Sequence, residues 1–173
     1  FEGAQFVHFL LGPATVALAV PLFRQTETLK RAMPVTIFGV LFGSLIASAS
    51  TVLLAWGLGA SPETLASLAP KSVTTPVAMG IAENIGGVPA LTAVCVIATG
   101  IVGATLGPMV MNMAGLKDWR ARGFAMGVGS HGIGTARAFQ VNETAGAFSG
   151  LAMGLNTLAT ALTIPFLWHW IFG

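Results

Sequence analysis

Apolar and polar residues along this chain fall into long blocks. Three runs carry no charge: Met33–Gly59, Gly86–Gly115 and Ala145–Gly173. Each exceeds the roughly 20 apolar residues that a helix needs to cross a bilayer. A fourth stretch, Gly3–Phe23, is long enough but is interrupted at Gly12-Pro13 and at Pro21. Two intervening segments, Pro70–Gly87 and Gly123–Glu143, mix apolar residues with Gly or Pro, hydroxyls and charges. They are too polar to face lipid and too apolar to be aqueous loops. The pattern predicts spanning helices separated by two broken or re-entrant segments.

The charge in the loops orders these pieces. Arg24, Lys30 and Arg31 precede the Met33–Gly59 run, and Lys117, Arg120 and Arg122 follow the Gly86–Gly115 run. Short loops rich in Lys and Arg face the cytoplasm. Both loops lie on that side only if an even number of crossings separates them. Pro70–Gly87 must then dip in and return on its own side, and Gly123–Glu143 must enter from the cytoplasmic side.

A shift of sixty residues places Thr75 on Thr135, Ala78 on Ala138, Glu83 on Glu143, Gly86 on Gly146 and Leu91 on Leu151. An odd number of crossings separates the two units, so their topology is inverted. The predicted fold class is an all-α polytopic membrane protein of two inverted-repeat units, each with a broken or re-entrant helix segment. Interrupted segments at matching positions of such units point to a transporter's binding site.

Composition agrees. Of 173 residues, 54% are hydrophobic and 8% charged, with 22 glycines and no tyrosine. A soluble domain carries about 25% charged residues. The lipid bilayer is therefore the solvent. The net charge of +2 forms no basic stripe, which excludes nucleic acid as a partner. Cys95 stands alone in an apolar run, where a small packing residue is expected. The chain begins with Phe rather than Met and shows no signal peptide, as a fragment or a processed form would.

The candidate chemistry lies in the two broken segments. Gly127, Gly129 and Gly132 fit the spacing G-x-G-x-x-G. A dinucleotide loop needs a preceding strand and an acidic residue ~20 positions on. Here there is no strand pattern, and Glu143 comes too soon. What survives is an opened backbone whose N–H groups attract anions. Arg137 is the sharpest residue, since a charge at membrane depth marks a pathway or pairs with a partner. Its structural reading is a snorkelling cation, or one paired with Glu143 or Glu83. Ser72, Thr74 and Thr75 precede Pro76, where they bind a ligand or satisfy the broken backbone. His131 is a proton carrier or a hydrogen-bonded structural residue.

Asn84 and Asn156 are candidate cavity walls, with interhelical glue as the other reading of Asn156. Glu83 and Glu143 are proton-coupling or structural charges and approach each other through the repeat. Lys71 is expected at the interface, as are His8 and His169. Trp56, Trp168 and Trp170 read as belt anchors. The sequon Asn142-Glu143-Thr144 is discounted. No metal site, no cofactor and no catalytic constellation is expected, so the chain is not read as an enzyme.

These residues also carry a family resemblance. LLGPATVALAVPLF (Leu10–Phe23), PKSVTTPVAMGIAENIGGVPALTA (Pro70–Ala93) and RGFAMGVGSHGIGTARAF (Arg122–Phe139) resemble the LrgB/CidB family of bacterial membrane proteins. The resemblance covers the whole chain. It implies a single LrgB-like transmembrane domain over 1–173, without the family's N-terminal helices. It also implies a multi-pass protein of the bacterial inner membrane rather than the plastid inner envelope.

Two functions come with the resemblance. One is transport of small monocarboxylates of the pyruvate, glycolate and glycerate type, with a small organic anion and a co-transported proton as the expected partners. The other is holin-like or antiholin-like control of murein hydrolase activity and autolysis with an LrgA/CidA-type membrane partner. For transport, Ser72, Thr74, Thr75, Ser130, His131, Gly132, Gly134, Thr135 and Arg137 are the expected substrate-binding residues. A homo-oligomer, with the dimer favoured, would use faces such as Gly100-x-x-Gly103 or Gly150-x-x-x-Gly154.

Overall fold

The computed structural model describes residues 23–24 and 26–172. The interrupted apolar stretch before Phe23, with His8, lies outside them, as does Gly173. The described residues form six helices in order: α1 Thr26–Gly57, α2 Pro62–Leu68, α3 Thr75–Asn84, α4 Pro89–Met113, α5 Trp119–Val141 and α6 Glu143–Phe172. Among the described residues there is no strand. α1, α4 and α6 are long and apolar enough to cross a membrane. Each contains a proline (Pro34, Pro108 and Pro165), which spanning helices tolerate because neighbours re-satisfy the freed backbone.

Contacts set the directions. α1 and α6 run side by side in the same sense. Arg24, just before α1, is 3.8 Å from Glu143 at the start of α6. Ser44 and Thr160 share a hydrogen bond of 2.8 Å midway. Trp56 and Trp168 line one cavity at the other end. α4 runs back. Its first residues meet α2 at the Trp168 end, where Val88 N–H donates to Ser67 Oγ at 2.8 Å and Thr92 Oγ1 to the Ser67 carbonyl at 2.9 Å. Its last residues meet the start of α5, where Met111, Met126 and Ala145 pack together.

Between these helices, α2 and α3 form one hairpin and α5 another. α2 starts at Pro62 because Ser61 caps it, accepting from Thr64 N–H, with proline at the first helical positions. The inward arm is thus longer than the expected Pro70–Gly87 segment. α3 returns to the same end. The turn into α4 needs glycine twice. Gly86 has φ +85, and a Cβ on Gly87 would lie 2.7 Å from Ser67 N.

α5 reverses at one residue. His131 has φ 40 and ψ −133, a backbone that non-glycine residues rarely adopt. Beyond it the chain folds back on its first arm. A Cβ on Gly134 would lie 2.8 Å from the Met126 carbonyl, eight residues earlier, whereas a straight helix separates such residues by about 12 Å. Ala138 likewise packs with Met126. The α5 hairpin is inserted from the end where α1 begins, and the α2–α3 hairpin from the end where α1 finishes. This matches the expectation from loop charge.

Candidate functional site

The tips of the two hairpins meet at Asn156, midway along α6. Its side chain is 1% exposed. Nδ2 donates to the Ser72 carbonyl of the first tip at 3.1 Å and to the Val128 carbonyl of the second at 3.4 Å. Both carbonyls lie where a helix is interrupted or about to reverse, so one amide satisfies backbone from both breaks. Its Oδ1 is buried and faces no donor among the described residues. Asn156 is thus the interhelical glue of the sequence reading, placed where both tips converge.

Asn156→Leu keeps the branched shape and removes both donors. It should destabilise the protein by about 1–3 kcal/mol, the cost of a stranded buried carbonyl. Thermal unfolding in detergent would show the loss, with hydrogen exchange rising first around 70–74 and 128–132. An unchanged melting temperature would mean that the tips are held by packing alone.

The second tip is fixed by a chain of polar contacts. His131 is 4% exposed, and its Nε2 lies 2.8 Å from the Val96 carbonyl of α4. Thr135 Oγ1 donates to the His131 carbonyl at 2.8 Å, one turn back at the bend. It also shares a 2.9 Å hydrogen bond with Ser149 Oγ of α6, a partner that the sequence did not single out. Ser130 is buried with its hydroxyl against Gly103. His131 sits against Gly100 in the same way. The Gly100–Gly103 face, read as an oligomer contact, is therefore filled from within the chain. Gly150 is buried as well.

At the first tip, Pro70 is fully buried and Ser72 is 7% exposed. Thr74 begins α3 without a capping bond from its side chain, and Thr74 and Thr75 are half-buried. Lys71 is not at the interface, as its neighbourhood to Pro70 had suggested. It is half-buried in the tip, with Nζ 3.4 Å from Ser72 Oγ. It lies within electrostatic reach of His131 and Cys95. Among the described residues, no carboxylate pairs with it.

The other candidates lie elsewhere. Gly134 is buried between the arms of α5, and Gly132 is exposed at the bend. Arg137 is exposed on the returning arm, and its nearest polar partner is Gln140 Oε1 at 3.4 Å. It meets neither Glu83 nor Glu143. Glu83 and Asn84 are exposed at the end of α3, near the Trp168 end. Glu143 lies at the opposite end, beside Arg24. The two glutamates therefore do not approach each other, because the hairpins that carry them enter from opposite ends. His169 is exposed, its Nδ1 2.8 Å from the Pro165 carbonyl.

The chain is similar to known proteins at the level of sequence. The family described as LrgB-like matches residues 1–170. Protein YwbG of Bacillus subtilis is 42% identical over 158 residues, 91% of this chain and 70% of the relative. The holin-like protein CidB of Staphylococcus epidermidis is 31% identical over 96% of this chain and 72% of its own length. The antiholin-like protein LrgB of Bacillus cereus is 29% identical over 94% and 71%. No solved structure matches the chain. With three helices among the described residues long and apolar enough to cross a membrane, and a family match over nearly all of its length, the chain is a multi-pass bacterial membrane protein and belongs to the LrgB-like family.

Proposed function

We propose that this protein carries small organic anions across the membrane, monocarboxylates of the pyruvate, glycolate and glycerate type, held between the two hairpin tips. The observation that carries this reading is Lys71, a cation at the meeting point with no carboxylate beside it among the described residues. A charge inside a bilayer is costly unless it is paired. A carboxylate substrate supplies the missing partner. The hydroxyls of Ser72, Thr74, Thr75 and Ser130 take the substrate's keto or hydroxyl oxygen. The opened backbone from Gly132 to Thr135 begins a helix arm whose N–H groups favour an anion.

His131 at the tip, or Glu83 at the mouth, takes a co-transported proton. Alternating access then moves one hairpin-bearing unit against the other, as in transporters built from inverted repeats. The test is uptake of labelled pyruvate and glycolate by sealed proteoliposomes of the full-length protein, with and without a pH gradient. Saturable uptake that a gradient accelerates is the expected result. Folded protein that takes up neither acid would sink the reading.

The names of the relatives favour a second reading, a holin-like or antiholin-like protein that modulates murein hydrolase activity with an LrgA/CidA-type partner. α1 presents a broad apolar face, including Phe38, Phe42, Ile46 and Leu54, that a second copy or such a partner would cover. Cross-linking ladders in a protein that binds no monocarboxylate would support it.

A further inference from the structure

A cavity lies away from the hairpin tips, at the end of the bundle where α5 begins. Its volume is about 200 Å³, and Arg122 and Arg137 both line it, from the outgoing and returning arms of α5. The rest of its lining is largely apolar, with Pro108, Met111, Met126 and Trp119. Arg122 is held in place. Its Nη1 donates to Asn112 Oδ1 and to the Leu116 carbonyl, both at 2.8 Å, and its guanidinium lies 5.3 Å from the Trp119 ring centroid. Arg137 reaches only Gln140.

Neither arginine has an acidic partner among the described residues, and the carboxylates at this end are already engaged. Asp118 pairs with Arg120 at 2.6 Å, Glu143 with Arg24 at 3.8 Å and Glu27 with Lys30 at 3.4 Å. The Arg120 side chain bonds the Asp118 carboxyl and holds its pKa down to about 2, so that Asp118 stays ionised and committed to Arg120. Two guanidiniums are left to face one apolar-walled cavity at the rim of the membrane-crossing helices.

We propose that this cavity binds the phosphate of an anionic phospholipid, with Arg122 and Arg137 on the phosphate and the Met and Pro side chains against the start of an acyl chain. Guanidinium recognises phosphate through paired N–H donors. Basic pockets between membrane helices on the cytoplasmic side bind lipid headgroups in this way. The loop-charge bias puts this end on the cytoplasmic side. The apolar lining distinguishes the site from one for a fully hydrated ion. This inference does not rest on the transport reading.

The test is native mass spectrometry of the full-length protein in detergent, titrated with phosphatidylglycerol, phosphatidylcholine or inorganic phosphate. The parent should retain phosphatidylglycerol in preference to phosphatidylcholine. Arg137→Gln should lower that preference by roughly fivefold, the effect of one basic residue near a lipid surface. Arg137→Lys should lower it less. Arg137 is the informative position because its one side-chain partner lies on its own helix, so its loss should leave the fold intact. Equal retention of both lipids, or undiminished preference in Arg137→Gln, would overturn the proposal. So would binding of inorganic phosphate alone that lipid does not displace.

Discussion

Lys71→Gln is expected to abolish saturable uptake of small monocarboxylates. The side chain sits in the first hairpin tip, half-buried, with its ammonium against Ser72 Oγ and no carboxylate to balance it. Gln keeps most of the length and the hydrogen-bonding capacity and removes the charge. Losing one partner of a desolvated charge pair costs about 2–5 kcal/mol, or roughly 30- to several-thousand-fold in affinity. Lys71→Arg should retain part of the activity, because the charge stays but a planar fork replaces a compact ammonium. Arg137→Gln, measured in the same lipid, should stay near the parental rate, since Arg137 is exposed on the returning arm and makes no contact with the hairpin tips. Uptake and thermal stability would be followed together. A Lys71→Gln protein that is folded and transports normally would remove the charge from the substrate site. Loss of uptake in Arg137→Gln alone would move the site to the cavity lined by Arg122 and Arg137.

The architecture was legible because its signals are redundant. Uncharged runs of more than twenty residues have one physical solution in a bilayer, and the basic loops at 24–31 and 117–122 fix the parity of crossings between them. That parity required the first hairpin to return to its own side, and the second basic loop put the entry of the other hairpin on the cytoplasmic side. The depth and facing of single side chains were not legible. Helical phase is readable only while the helix is continuous, and α5 reverses at His131. Arg137 therefore cannot be assigned to the face of Ser130 by counting residues. Lys71 misled for a related reason. A proline beside a cation looks like a membrane edge, but Pro70 is buried at the deep end of a hairpin. The adjacency of Lys71 to the hydroxyl-rich Ser72–Thr75 stretch was the signal that could have placed it. Ser149 gave no signal, because a serine among alanines and glycines reads as packing until its partner Thr135 is known.

The second large effect concerns how the α5 hairpin is held. Gly127→Val should lower the yield of folded protein and its thermal stability more than any change at the tips. A Cβ at Gly127 would overlap the Ser149 carbonyl and lie 3.0 Å from Ala152 Cβ. One turn earlier, a Cβ at Gly123 would overlap the Ala145 carbonyl. The obstacles are backbone atoms, so no rotamer change relieves them. α5 and α6 must separate, as expected where small residues let membrane helices approach closely. Overpacking of this kind costs about 1–3 kcal/mol for small insertions, and valine adds two methyl groups beyond Cβ. The displacement would also stretch Asn156 from the Val128 carbonyl and Thr135 from Ser149. Gly154→Ala is the control on the same helix pair. Nothing lies within 4 Å of a Cβ there, so alanine should be neutral or stabilise by up to about 1 kcal/mol through helix propensity. If Gly154→Ala instead weakens a dimer while Gly127→Val is tolerated, the glycines serve association between copies rather than closure of the hairpin on α6.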